Sequence, residues 1–420
     1  MRCGVLHHWL VVPLIAVVLY GGTPALATDA AESFPAAPPP ALPLPTPLPP
    51  GFSPPPGFSS PPASTPLAPA VRIELPKPPA ARHELPPPPA GVVIPHVALL
   101  LPLESAAFAR HAEAVRNGFL SAAKVQGSMP LPVRAYATGD DPNQVMDAYL
   151  RALSAGARIV VGPLTRNGVT AIAESAMVLV PTLALNVPDG RVDPIPELYM
   201  LSLQVEAEAR QAAQLAWRDG RRNALTVFGE TPLLRRIHQA FIDEFTRLGG
   251  THLAAYPFTT DPEGLARIKK AADAAIEAEL ADMMAFLALD LTRARLSRAY
   301  LSSLPIYATS QVHPGNADTL TGFDLAGVRF LDMPWLLQPE HPAVMLYPRT
   351  DYRETVELER FHALGIDAYR VAQALLEGKA NAAVDGVTGK LTLGQDRHFI
   401  RGLTAAQFYD GRLTVLRERP

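Results

Sequence analysis

From His96 onward, short continuous apolar runs alternate with longer stretches in which apolar residues recur every three or four positions. A strand buried on both faces reads as an unbroken apolar run, and a helix packed on it repeats its apolar side chains at helical spacing. The run Val97–Leu101, ended by Pro102, predicts a first strand, and Phe108, Ala112, Val115 and Phe119 predict the helix after it. Val133–Tyr136 and Ile159–Val161 predict two more strands, with a helix marked by Val145, Ala148 and Ala152 between them and another from about Thr165. Pro181–Leu185 predicts a fourth strand. The alternation then starts again, with predicted strands at Ala224–Phe228, Leu253–Phe258, Met283–Leu289, Ile306–Ala308 and Val328–Leu331. Predicted helices fall at Leu233–Leu248, Leu265–Ala278 and Thr355–Leu376, ahead of a short β-rich tail. Repeated strand–helix units predict parallel sheets covered by helices on both faces. About 325 residues exceed one core of comfortable size, so an α/β fold of two lobes is expected, with a cleft where the carboxyl ends of the strands meet.

The first 92 residues follow different rules. Of the 45 prolines, 23 lie between Pro35 and Pro89, in units such as Leu42-Pro43-Leu44-Pro45 and Pro86-Pro87-Pro88-Pro89. Proline fixes φ and removes a backbone donor, so neither helix nor sheet is expected here. The expectation is a disordered, polyproline-II-like arm whose 55 residues reach up to roughly 170 Å at about 3.1 Å per residue. It reads either as a passive linker or as a tether and ligand for a polyproline-binding partner. Ahead of it, Arg2, the apolar run Trp9–Tyr20 and the small-x-small triplet Ala25-Leu26-Ala27 read as a secretory signal cleaved before Thr28. The apolar run is short for a membrane span, although an uncleaved anchor is the alternative. The single cysteine, Cys3, precedes the apolar run, where a lipid acceptor would have to follow it. The expected location is therefore the periplasm, without a lipid anchor.

Composition narrows the function. A formal net charge of −3 and the lack of any block of like charges argue against a nucleic-acid partner. Without thiols beyond Cys3 the folded part has no disulfide, thiolate or Cys-metal chemistry. There is no His-Glu-x-x-His, Gly-x-Ser-x-Gly or phosphate-loop motif, and the histidines show no ligand spacing. No metal, no cofactor and no enzymatic activity are expected.

The candidate ligand-binding residues are those that follow predicted strands. Gly162-Pro163-Leu164-Thr165-Arg166 lies where a strand hands over to a helix, whose free N–H groups and positive end suit a carboxylate or phosphate. Leu164, Thr165 and Arg166 are candidates on that ground, the bland alternative being that Thr165 caps the helix and Arg166 is solvated. Glu104 and Ser105 follow the first strand. Asn186 follows the fourth, where it either meets a small polar ligand or stabilises the turn before Pro188. From the second lobe, Glu230 and Asp290 either hold an ammonium group opposite the anion site or cap the helices they precede. Arg360, Tyr369 and Arg370, with Trp335 upstream, are candidates for a protein-contact surface because interfaces favour aromatic and arginine residues.

The stretch from Ala137-Thr138-Gly139-Asp140-Asp141-Pro142 to Gly162-Pro163-Leu164-Thr165 resembles the branched-chain amino-acid receptors of bacterial transporters. More closely, an ordered series of segments resembles the carboxyl-terminal module of the penicillin-binding-protein activator family, the LppC-type outer-membrane lipoproteins. The segments are Leu99–Leu103, Val115-Arg116-Asn117-Gly118-Phe119, Val161–Arg166, Pro181–Asn186, Asp332-Met333-Pro334-Trp335 and Ala363–Arg370. The resemblance implies a type I periplasmic-binding-protein fold and a regulator of peptidoglycan synthesis that touches a penicillin-binding synthase, with or without a small polar or amino-acid-like ligand. The runner-up is a receptor that delivers amino acids to a permease. The family's longer members carry a helical-repeat domain where this chain has its proline arm. The expected organisation is a signal over residues 1–27, an arm over 28–92 and a folded part over 93–420. The first lobe would take 96–202 plus a segment near 350–380, and the second 203–345 plus the tail.

Overall fold

A computed structural model describes residues 93–416 except 128, 191, 279–281, 316–318, 350–351 and 353–354. The expected signal and proline arm lie outside the described residues. In chain order, β1 (His96–Leu101), α1 (Ala109–Gln126), β2 (Val133–Ala137), α2 (Pro142–Ser154), β3 (Ala157–Val161), α3 (Arg166–Glu174), β4 (Thr182–Ala184) and β5 (Leu198–Leu201) form the first alternating unit. All six residues of β1 are buried. Val97, Leu99 and Leu101 face the core beneath α1, while Ala98 and Leu100 face Val145, Ala148 and Tyr149 of α2. This two-sided burial is why the strand reads as an unbroken apolar run.

The chain then crosses to a second unit through α4 (Val205–Arg218). There β6 (Asn223–Phe228), α5 (Pro232–Arg247), β7 (Thr251–Pro257), α6 (Pro262–Glu277), β8 (Met283–Ala288), α7 (Leu291–Tyr300), β9 (Ile306–Ala308), α8 (Thr319–Asp324) and β10 (Val328–Asp332) build a second parallel sheet. Met284 and Phe286 pack under α4 and α5, with Phe286 stacked on Phe241 at 3.8 Å, and Ala285 and Leu287 pack under α6. Two short helices, α9 (Pro334–Leu337) and α10 (Pro342–Met345), lead to α11 (Val356–Leu376), which lies against α1.

The tail is divided between the lobes. β11 (Val384–Asp385), β12 (Lys390–Leu393) and β13 (His398–Gly402) extend the first sheet, giving the order β11-β12-β13-β5-β4-β3-β1-β2. β14 (Thr404–Tyr409) and β15 (Arg412–Val415) extend the second, in the order β15-β14-β10-β9-β8-β6-β7. This corrects the expectation that the whole tail joins the second lobe. β13 pairs with β5 in parallel, and two residues later β14 pairs with β10 antiparallel, so one strand run serves both sheets. The fold is the expected one: two sheets of largely parallel strands flanked by helices. Among the described residues no helix is long and apolar enough to cross a membrane.

A buried histidine is expected to make the module acid-sensitive. His362 on α11 is 1% exposed beside Trp335, and burial pushes its pKa down to about 4. The unfolded chain therefore binds a proton between about pH 6.5 and pH 4 that the folded chain refuses, and stability falls as pH falls through that window. His362 alone is expected to remove about 2 kcal/mol of stability between pH 7 and pH 5. Urea unfolding at the two pH values checks this. His362→Phe flattens the difference by that amount, and an unchanged slope would contradict it.

Candidate functional site

Three passes join the lobes: β5 to α4, β10 through α9 and α10 to α11, and β13 to β14. Each leaves its sheet at a strand's carboxyl end, so the carboxyl edges of both sheets adjoin these crossovers. All eight candidate residues stand after strands at those edges. The side chains, however, are mostly engaged with their own loops. The Oγ of Ser105 accepts from the N–H groups of Ala107 (3.1 Å) and Phe108 (2.8 Å). Asn186 donates from Nδ2 to the Leu164 carbonyl (3.0 Å) and accepts from its neighbour Val187, which locks the β3 and β4 loops together. Asp290 accepts from the Arg293 N–H at the start of α7 and pairs with the Arg293 guanidinium. Thr165 stands at the N-cap position of α3, but its side chain makes no capping bond. Glu104 and Glu230 are exposed, and among the described residues neither carboxylate meets a cation within ion-pair distance. No ligand cage is assembled from the eight.

Arg166 is the exception. Its guanidinium stands 3.8 Å from Glu206 on α4 and 3.9 Å from Asp189. Glu206 also pairs with Arg236 on α5 at 2.8 Å. Burial pushes the Glu206 carboxyl up, but Arg236 and Arg166 outweigh it and hold the group below its ordinary range. The cation placed by β3 is thus met across the crevice by a carboxylate of the other lobe.

Deeper, at the crossovers, lies a buried charge network. Asp332, at the end of β10, accepts from Arg360 Nη2 (2.7 Å) and pairs with His313 Nδ1 (2.8 Å). Arg360 on α11 also donates to the Ser310 carbonyl (3.2 Å). Ser310 in turn donates from Oγ to Glu208 on α4 at 2.6 Å. Glu208 faces Arg401 of β13 at 3.5 Å, and Arg401 Nε donates to the Ser202 carbonyl (2.9 Å) beside the first crossover. Arg401 also reaches the Thr388 carbonyl, and the Thr388 N–H and hydroxyl both donate to Asp367 on α11 (2.7 and 2.6 Å). Burial raises the Asp332 carboxyl, yet Arg360 and His313 outweigh it and hold the group well below the carboxylate range. For Glu208 burial wins over Arg401 and its pKa is raised. Buried charges persist only where paired and hydrogen-bonded, and here the pairs join one lobe to the other.

Sequence reasoning missed Glu208, Ser310, His313, Asp332, Asp367, Thr388 and Arg401. It also placed Arg360, Tyr369 and Trp335 on a protein-contact surface, and the structure corrects that. Trp335 and Tyr369 are buried, Tyr369 donates to the Gly127 carbonyl, and Arg360 belongs to the network. Arg370 donates to the Asp385 carbonyl. A signal was available in part: Asp332 and Asp367 sit beside or inside apolar stretches, where a lone carboxylate needs a buried partner.

Two α/β sheets, three crossovers and a crevice at the carboxyl ends of the strands define a periplasmic-binding-protein-like module. Residues 91–411 match the sequence profile of the family described as "LppC putative lipoprotein", and the chain belongs to that family. It is 28% identical over 334 residues to the penicillin-binding protein activator LpoA of Haemophilus influenzae, covering 76% of this chain and 55% of that protein. The corresponding protein of Vibrio cholerae is 28% identical over 337 residues, covering 71% and 54%. The chain spans about half the length of the curated relatives it matches. Among solved structures, the LpoA C-domain of Haemophilus influenzae, described as a regulator of PBP1A, matches 77% of this chain and 100% of its own at a TM-score of 0.64 and 25% identity. A protein of Chromobacterium violaceum, described as a "putative branched-chain amino acid ABC transporter", matches 75% of this chain and 99% of its own at 0.64 and 38%.

Proposed function

We propose that this chain is a non-enzymatic periplasmic regulator of peptidoglycan synthesis that acts by contact with a penicillin-binding synthase. The observation that carries the reading is the match of the folded part to the family and to the whole LpoA C-domain. The residues ahead of 93 would supply the secretory leader and a spacer that sets the module away from its point of export. Communication between a contact surface and the crevice would run through the interlobe ion pairs. A small polar ligand at Glu104, Ser105, Leu164, Thr165, Arg166, Asn186, Glu230 and Asp290 would act by shifting the balance between lobe positions.

The receptor reading rests on the 38% identity to the Chromobacterium protein. Against it stands the chemistry of the crevice. A receptor for amino acids needs a free cation for the carboxylate, but Arg166, the one cation among the eight candidates, faces Glu206 and Asp189. On an immobilised penicillin-binding synthase the chain is expected to be retained and then eluted by free synthase. A chain that flows through, yet gains about 2.7 kcal/mol of stability with an amino acid at a hundred times its Kd, would reverse the order of the two readings.

A further inference from the structure

One hollow of the module lies away from the eight candidates. It is a pocket of about 760 Å³ beside the second and third crossovers, well within the size range of small-molecule sites. Its apolar surface comes from Leu215 of α4, Leu331 of β10, Leu403 of the crossover and Val415 of β15. Arg218, at the end of α4, and Lys390, on β12, stand on its wall, one from each lobe.

The charges on the wall are unequal in kind. Arg329 is spoken for: it pairs with Asp219 at 2.5 Å, and Asp219 also accepts from the Tyr307 hydroxyl at 2.7 Å. Gln338 and Thr404 satisfy each other at 2.8 Å. Asp385 turns to His341 at 3.9 Å. Among the described residues no carboxylate lies within ion-pair distance of Arg218 or Lys390, and neither side chain makes a hydrogen bond. Two free cations therefore flank an apolar surface inside one concavity.

We propose that this pocket binds an amphipathic anion: a single carboxylate or phosphate head held by Arg218 and Lys390, on an apolar body lying over Leu331, Leu403 and Val415. Because its walls come from both lobes and from two of the crossovers, an occupant bridges the lobes outside the crevice. It would favour one lobe arrangement over another by its differential contacts. The inference is independent of the synthase partner and stands or fails separately from it.

The test uses the full chain and three probes below their micelle concentrations: octanoate, octyl phosphate and the neutral octyl glucoside. Binding is read by titration calorimetry and by thermal stability. One or both anions are expected to bind and to raise the melting temperature while the glucoside does not. Octanoate alone assigns a carboxylate head, and octyl phosphate alone a phosphate. Both cations are exposed, so Arg218→Ala with Lys390→Ala leaves the fold intact and is expected to weaken the anion about tenfold or more. Ala405→Trp, which fills the pocket, is expected to abolish binding. Equal binding of the glucoside, an undiminished affinity in the double variant, or no binding of either anion would overturn the proposal.

Discussion

Asp332→Ala lowers the unfolding free energy of the module by about 3–5 kcal/mol, the cost of leaving one member of a buried ion pair without its partner. Asp332 is 1% exposed and is the acceptor that Arg360 and His313 share. Removing it strands a guanidinium whose remaining hydrogen bonds among the described residues go to the Ser310 and His313 carbonyls, at 3.2 and 3.5 Å. Urea unfolding at pH 7 reads the loss. Asp332→Asn keeps the shape and an acceptor and loses less, while Asp332→Leu with Arg360→Met removes both charges and recovers part of the deficit. Since the folded-state pKa of Asp332 is depressed, its contribution is full above the unfolded value near 3.9 and is lost only as pH falls below it. A near-neutral Asp332→Ala at pH 7 would show that the network does not hold the lobes together.

Gly365→Ala is expected to cost about 3 kcal/mol, the upper part of the range for overpacking a tight core. The helices α1 and α11 cross at Gly118 and Gly365. A Cβ on Gly365 would lie 2.0 Å from the Val115 carbonyl oxygen, and one on Gly118 would lie 1.9 Å from that of His362. Those neighbours are backbone atoms, so no rotamer change relieves the clash and the helices must move apart. Their separation would open the packing of Phe119 on Tyr369, 5.2 Å apart by ring centroids. Because both glycines serve one contact, Gly118→Ala with Gly365→Ala should cost clearly less than the sum of the two single variants. Thermal unfolding of the three variants checks the effect, and a wild-type midpoint for Gly365→Ala would refute it.

The parallel strands were legible because two-sided burial writes itself as an apolar run. Ile306–Ala308 is found as predicted, and the other predicted strands are offset by two residues at most. β5 and α4 were not foreseen. β5 is only four residues long, and α4 carries Glu206, Glu208 and Arg210 among its alanines, so its apolar stripe is thin. The division of the tail was illegible for a different reason. Nothing local in residues 398–409 tells that the run changes sheets at Leu403; that depends on where β5 and β10 end in space. The candidate edges of the sheets were readable as strand ends, but the network was not. Its members lie 28 residues apart for Arg360 and Asp332, and 193 apart for Glu208 and Arg401, and only folding brings them together. A single sequence shows which residues follow strands, not which charges meet.

The proposed function is that of a module working through its surface, and its lobes are joined by its own buried charges. Crosslinking in intact cells followed by mass spectrometry tests that most directly. Peptides of a penicillin-binding synthase joined to this chain are the expected product, whereas crosslinks confined to the membrane subunits of a transporter would contradict the account.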